Sequence, residues 1–220
     1  MTQHYKYSRT YHFDWSLGTT SDDRILKSVK HFEGKEVVVS EKLDGENTSC
    51  YRDHIHARSL DSGHHPSRTY VKTLHGHIQY DIPKDFRICG ENLQACHSIF
   101  YRNLEAYFYV FGIYNNQNIC LSWDETVEYA NLLGLKTVPV LYRGLWDEEK
   151  VKACWTNESV ASPGDQQEGY VVRVADAFPH DVQDNGLSSL YTAKMVRENH
   201  VQTSEHWMNQ AIVPNLLRKM

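Results

Sequence analysis

Apolar and polar positions along this chain follow two periods, and the switches between them mark its elements. Ile25, Val29 and Phe32 fall at i, i+4 and i+7 behind a Thr20 or Ser21 cap. Asp22 and Asp23 sit in the first turn, Lys27 and Lys30 toward the far end, and Gly34 as a stop, which predicts a short amphipathic helix. The run Val37-Val38-Val39 predicts a strand over 36–41, and residues 48–52 and 54–59 a hairpin around Arg52-Asp53. LDSGHHPSR at 60–68 is a loop by composition, and Ser67 is placed to cap a helix whose Val71, Leu74 and Ile78 face inward.

Strands are predicted at 86–89, 107–114 and 119–121, with a turn at 115–118. Ser122 and Glu125 match a capping box for a helix that runs to Gly134 and buries Val127, Ala130 and Leu133. A strand at 138–142, a short helix at 147–155, a loop at 162–167 and strands at 168–174 and 189–196 complete the pattern. Residues 1–20 lack a period and are expected to wrap the surface; after Glu198 the chain turns polar, then helical, with Pro214 interrupting the last turns. Mixed strands and helices without repeats or a linker predict one α+β domain over 1–220, with 1–20 as an arm and 199–220 as a short tail.

Composition narrows the class. No run of about 18 apolar residues exists, so a membrane span is not expected. The start, MTQHYKYSRTYHFDW, has no apolar secretory core. The five cysteines are odd in number and without a Cys-x-x-Cys, which reads as reduced thiols of a cytoplasmic protein and argues against a zinc cluster. The net charge of −5 does not mark a nucleic-acid binder, though one cleft can still be basic.

The candidate chemistry starts at EKLDGEN, residues 41–47. Asp-Gly between two strand-like runs is a tight turn, and alone the lysine before it would be a solvated gatekeeper. At the end of a buried strand, however, the Lys42 stem is held while its amine reaches beyond, and a deprotonated amine is a nucleophile. Arg58, Glu91 and Glu168 also stand at predicted strand ends, and Lys194 lies within the last strand. Buried faces carry such residues when they pair or bind something charged, and three cations with two carboxylates suit a nucleoside triphosphate and a divalent metal.

His54, His56, His64, His65, His75 and His77 crowd one region without a recognised zinc spacing, so phosphate contact or plain exposure is the better reading than a metal site. Cys50 reads as a small core residue. The abundant tyrosines and tryptophans are read mainly as core, with base stacking as the functional alternative.

The order and wording of these pieces resemble the covalent nucleotidyltransferase superfamily and, within it, the ATP-dependent RNA ligases. EKLDGEN looks like the lysine–nucleotide motif, Arg58 in ARS like the arginine motif, and Gly90-Glu91-Asn92 like the glutamate motif. YFYVFGI at 107–113 is similar to the segment that lends a ring to the purine, EGYVVR at 168–173 to the metal-side glutamate motif, and AKMVRE at 193–198 to the closing lysine motif. The resemblance implies a nucleotidyltransferase fold (an ATP-grasp-like ligase adenylation domain): antiparallel sheets enclosing a nucleotide pocket, flanked by helices. Members of the superfamily often carry a further C-terminal domain, but about 22 residues follow Glu198 here, so no separate OB domain is expected.

It further implies ATP as co-substrate, Mg²⁺ or Mn²⁺ at Glu168, and a lysyl-AMP intermediate at Lys42. AMP would pass to the 5′-phosphate end of RNA or another polynucleotide, and a 3′-hydroxyl would displace it. Glu91 would accept a ribose hydroxyl, and Phe111 would stack on adenine, with Phe108 and Tyr109 as competitors. Arg58, Lys194 and Arg197 would meet phosphate, lowering the pKa of Lys42; Asn47 would act at the sealing step, and Glu41 would lie beside the nucleotide. The closing motif has Val196 where a second lysine is usual, so either Arg197 substitutes for it or phosphate contact there is weaker. Rival readings are a DNA ligase, a capping-type guanylyltransferase, and a non-catalytic nucleotide- or RNA-binding module of the same fold.

Overall fold

A computed structural model describes residues 3–199 and 211–219. Two sheets face one another. The first joins β1 (Tyr11–His12), β12 (Thr192–Val196), β10 (Gly169–Val174), β2 (Glu36–Lys42) and β9 (Val140–Leu145), in that order. The second runs β11 (Phe178–Pro179), β7 (Ile119–Cys120), β6 (Phe108–Tyr114), β5 (Arg87–Asn92), β3 (Glu46–Tyr51) and β4 (Ile55–Ala57), with β8 (Lys136–Thr137) beside β6. Pairing is antiparallel except where β1 lies along β12 and β8 along β6.

Strand alternation sorts the side chains into layers. On the first sheet Val39, Tyr170, Val172, Ala193 and Met195 belong to a cluster with Phe13 and Phe32, against which Trp15 and Trp146 pack. Their alternates Ser40, Lys42, Val171, Arg173, Thr192 and Lys194 line a cavity between the sheets. On the second sheet, Ile88, Phe108, Val110 and Ile113 pack against Val71 and Ile78 of α1 (Thr69–Ile78) and Ala130 of α2 (Trp123–Leu132). The predicted sheets, pocket and flanking helices are therefore all present, and among the described residues no helix is long and apolar enough to cross a membrane.

Local signals were followed closely where local chemistry decides. Ser122 Oγ accepts from Glu125 N and the Glu125 carboxylate accepts from Ser122 N, so α2 opens on the expected capping box. Asp147 caps α3 (Glu148–Lys152). Ser67 is not a helix cap: His65 Nδ1 accepts from Ser67 N in a 3-10 turn, and α1 begins two residues later.

The helix expected after Ser21 does not form, apart from a 3-10 turn at Lys30–Phe32. His12 N donates to Arg24 O at 2.7 Å and Leu26 N to His12 O at 2.8 Å, so residues 24–26 are drawn out as a bridge along β1. A tertiary backbone pairing here outweighs a short helix of modest propensity. Nor is the N-terminal segment mere wrapping, since Phe13 is fully buried and β1 closes the edge of the first sheet.

The expected tail helix falls largely in residues outside those described, and 211–219 contains none. Instead Asn215 is buried, its Oδ1 accepting from Tyr101 N and its Nδ2 donating to Leu93 O.

Candidate active site

β2 carries Lys42 to the inner mouth of the cavity, and the turn Leu43-Asp44-Gly45 crosses from the first sheet to the second. The turn is braced on both sides. Asp44 Oδ2 accepts from Ser98 N, Ser98 Oγ and Ile99 N, each at 2.7 Å, and Gly45 N donates to Glu91 Oε1 at 3.2 Å. A Cβ on Gly45 would stand 2.5 Å from the Asn92 carbonyl oxygen, so a close backbone approach demands glycine there.

Lys42 Nζ donates to Glu168 Oε2 at 2.6 Å, with 25% of the lysine side chain and 5% of the glutamate exposed. The amine is thus sheltered rather than solvated. Burial alone would lower the Lys42 pKa, but Glu168, Glu91 and Asp44 outweigh it and raise the value above that of an ordinary lysine. This reverses the expectation that neighbouring cations depress it: Glu168, in hydrogen-bond contact with the amine, acts in the opposite direction. Burial pushes Glu168 up to about 7 against the pull of Lys42. It pushes Glu91 up to about 8, with Glu168 and Asp44 adding to the effect.

Lys194 lies one strand away from the centre, across β10 from β2, paired in register with Val171. Burial, reinforced by Lys42, draws its pKa down to about 8. A cavity that depresses a lysine and raises two glutamates has charges that lack their full solvation, as a site built for a polyanion and a cation would.

Arg58, Glu91, Asn47 and Phe111 join Lys42 and Lys194 around this cavity of about 760 Å³, a volume within the range of small-molecule sites. Phe111 arrives there through a β-bulge. Val110 pairs with Gly90 and Gly112 with Cys89, leaving Phe111 as the extra residue. The bulge turns Phe111 and Gly112 toward the cavity, whereas Phe108 is buried with the helices and Tyr109 Oη accepts from Glu105 N. The two competitors for the stacking position are therefore spent in the core.

Two candidates are placed differently. Glu41 borders the cavity, but alternation turns its carboxylate away from Ser40 and Lys42, and Oε2 accepts from Val160 N and Ala161 N at 2.9 and 2.8 Å. Arg197 is buried outside the cavity lining, donating to the carbonyls of Glu198 and Asn199 and to Ser98 Oγ. It braces the chain after β12 against the loop that Asp44 holds.

Residues that sequence reasoning passed over also meet here. Glu46 and Arg68 form a buried bidentate pair at the mouth, with N–O distances of 2.5 and 2.7 Å. Arg173, which alternation from Val171 would have found, donates to Leu121 O and lies over the Phe178 ring. His97 lines the same wall as Glu91, and Tyr7, Ser8 and Thr10 enter from the N-terminal segment. In the histidine hairpin the His4 ring stacks on His54, with centroids 4.3 Å apart. Cys50 is fully buried, and its thiol is pushed up to about 12 by burial.

Glu91 supports a test within the ligand-free protein. Its pKa is raised in the fold, so its contribution favours the folded state at acid pH and is lost as pH rises from the ordinary carboxylate value toward about 8. Glu91→Gln is therefore expected to melt higher than the native chain at pH 8, by roughly 2–4 °C per kcal/mol relieved, with the margin shrinking toward pH 4.5. A thermal melt series that showed no pH-dependent margin would contradict the burial of that charge.

Two facing sheets around a cavity with a lysine at its mouth resemble the nucleotidyltransferase domain of RNA ligases. The sequence model described as RNA ligase matches residues 35–196, and the chain belongs to that family. Structures of RNA ligase from Naegleria gruberi are similar in fold. A variant with ATP and Mn superposes with a TM-score of 0.58 at 17% identity, covering 89% of this chain and 57% of that one. Another, with AMP and Mn, gives 0.58 at 18% identity, covering 87% and 55%. A third, with ATP and Mn, gives 0.56 at 18% identity, covering 88% and 62%. The chain thus spans somewhat more than half the length of these relatives. No curated protein matches it.

Proposed function

We propose that the chain is an ATP-dependent RNA ligase that works through a lysyl-AMP intermediate at Lys42. The observation that carries the reading is the placement of the Lys42 amine, held 2.6 Å from Glu168 at the mouth of a cavity that Lys194, Arg58 and Glu91 also line. The Lys42 nitrogen attacks the α-phosphorus of ATP, the bond to the bridging oxygen breaks, and pyrophosphate leaves. AMP then passes to a 5′-phosphate end of RNA, and a 3′-hydroxyl displaces it to seal the strand. Family membership and the ATP, AMP and Mn bound by the Naegleria protein support this substrate set.

Such transfers depend on in-line placement and charge neutralisation more than on elaborate acid–base groups. Lys194 and Arg58 supply fixed positive charge for the phosphates, and Lys194, poised near 8, gains its proton fully when a polyanion arrives. Glu91 faces the ribose, Phe111 stacks on the base, and Asn47, whose Oδ1 is buried without a hydrogen-bond partner, presents a polar atom at the sealing end.

Glu168 is the residue suited to a divalent ion, being an oxygen donor whose negative charge the fold leaves incompletely solvated. One or two carboxylates plus phosphate oxygens are the usual holders of Mg²⁺. Mg²⁺ or Mn²⁺ bound there would neutralise phosphate charge. Lys42 keeps its proton while Glu168 faces it and becomes nucleophilic when that carboxylate is drawn elsewhere.

Incubation with labelled ATP and with GTP, followed by denaturing gels, tests the reading. A covalent adduct is expected with ATP and a divalent ion, lost with chelator. Adduct with GTP alone would favour a capping-type enzyme, and none with either a binding module. Nicked RNA, DNA and hybrid duplexes offered side by side then identify the strand that is sealed.

A further inference from the structure

The family match begins at residue 35, but the wall of the cavity does not. Tyr7, Ser8 and Thr10 line it together with Phe111 and Lys194. We propose that residues 4–10 are a working wall of the nucleotide site, in which Tyr7 is the positioning residue that sets the plane of Phe111 for the purine base. This rests on the assignment of Phe111 to the base.

The need for such a residue follows from the bulge. Phe111 is the extra residue of β6 and has no cross-strand partner on β5 to fix its ring. Tyr7 meets it edge to face, with centroids 5.2 Å apart and planes at 73°, a geometry favoured by the ring quadrupoles. Tyr7 also stands edge-on to Tyr114 at 84°, so its own ring is held from a second side.

The segment that presents Tyr7 is tied at many points. Tyr5 N donates to Tyr51 Oη at 2.8 Å on the second sheet, and Ser8 Oγ donates to Asp181 O at 3.0 Å. Arg9 N donates to Asp184 Oδ1 at 3.0 Å, and Ser188 Oγ to Arg9 O at 2.9 Å. Directly after it, β1 pairs with β12 so that His12 is level with Lys194. The strap therefore spans from the edge of one sheet to the other beside the cavity. Anchored at both ends, the strap holds the Tyr7 ring in place beside Phe111.

The experiment compares Tyr7→Ala, Tyr7→Phe and Phe111→Ala in the full chain, reading half-saturating ATP, maximal rate of adduct formation and Tm. Competition by adenosine and by tripolyphosphate reports the base and phosphate ends separately. Tyr7→Ala is expected to raise half-saturating ATP roughly 3–10-fold, the scale of one aromatic pair. Adenosine competition should weaken while tripolyphosphate competition holds, and Tyr7→Phe should restore both to native values. Equal weakening toward adenosine and tripolyphosphate in Tyr7→Ala means general loss of structure and overturns the proposal. If Phe111→Ala weakens ATP and Tyr7→Ala does not, the strap inference fails alone. If Phe111→Ala leaves ATP unaffected, the base assignment falls and the inference falls with it.

Discussion

Lys42→Arg is expected to abolish the covalent nucleotide adduct, lowering its rate by at least ~10³-fold, or about 4 kcal/mol of barrier. Arginine keeps the positive charge that Glu168 and Glu91 face, so the ligand-free cluster stays compensated and the fold is retained. What it loses is the ability to deprotonate: a guanidinium is not a nucleophile at any working pH. The charge-keeping variant thus separates chemistry from stability, which Lys42→Ala would confuse by stranding the buried Glu168 carboxylate and the half-buried one of Glu91. Intact-mass spectrometry after incubation with ATP and Mn²⁺ or Mg²⁺ reads the outcome. The native chain should gain one adenylate, mapped to Lys42, and the variant none; an adduct that persists in the variant would place the nucleophile elsewhere.

The second large effect is structural in origin and catalytic in consequence. A Cβ at Gly169 would lie 2.0 Å from the Met195 carbonyl oxygen and 3.0 Å from the Val196 Cα, both backbone atoms that cannot swing aside. Gly169 pairs with Lys42 on one side and with Val196 on the other, and it follows Glu168 directly. Gly169→Ala must therefore push β10 from β12 at the point where Glu168, Lys42 and Lys194 are brought together. Overpacking of this kind costs about 3 kcal/mol, which lowers Tm by roughly 6–12 °C. Adduct formation should fall further than the loss of folded protein explains, because Glu168 and Lys194 no longer share one register. Circular dichroism melts with adduct assays on the remaining folded fraction check both parts; a variant that melts like the native chain would show that the two strands have slack there.

Much of the site was legible because its residues sit on strands with strong local signals. Val37-Val38-Val39 could only be a strand, so Lys42 had to stand at its end, and alternation put Lys42 on the same face as Ser40. The same reasoning placed Glu168 at the end of one strand and Lys194 within another. The aromatic strand was harder. A period-2 pattern sets Phe108 opposite Tyr109 and Phe111 without saying which face lines the cavity, and the choice depends on the bulge that leaves Phe111 as an extra residue opposite Cys89-Gly90 of β5.

Charge placement shows the same division. The kinds of group expected around the cavity are there, but the sign of the Lys42 shift was not legible, since it depends on which neighbours come closest. Three carboxylates outweigh the effect of burial once the strands are assembled. Arg197 and Glu41 looked equivalent to their motif neighbours and were drawn off to Ser98 and to the Val160 and Ala161 amides by loops that pack from elsewhere.

By itself the amino-acid order determined the longer strands, the Ser122 capping box, the set of charged residues at strand ends and the family that these imply, because each depends on residues near in sequence. Tertiary structure alone decided the fate of residues 20–29, the aim of Phe111, the direction of the Lys42 shift and the arrival of Tyr7 beside the cavity. In each case the deciding partner lies on a different strand or segment, as His12 does for residues 24–26 and as β5 does for Phe111. Local preference is worth tenths of a kcal/mol per residue, and a backbone pairing or buried contact made across the chain readily exceeds it.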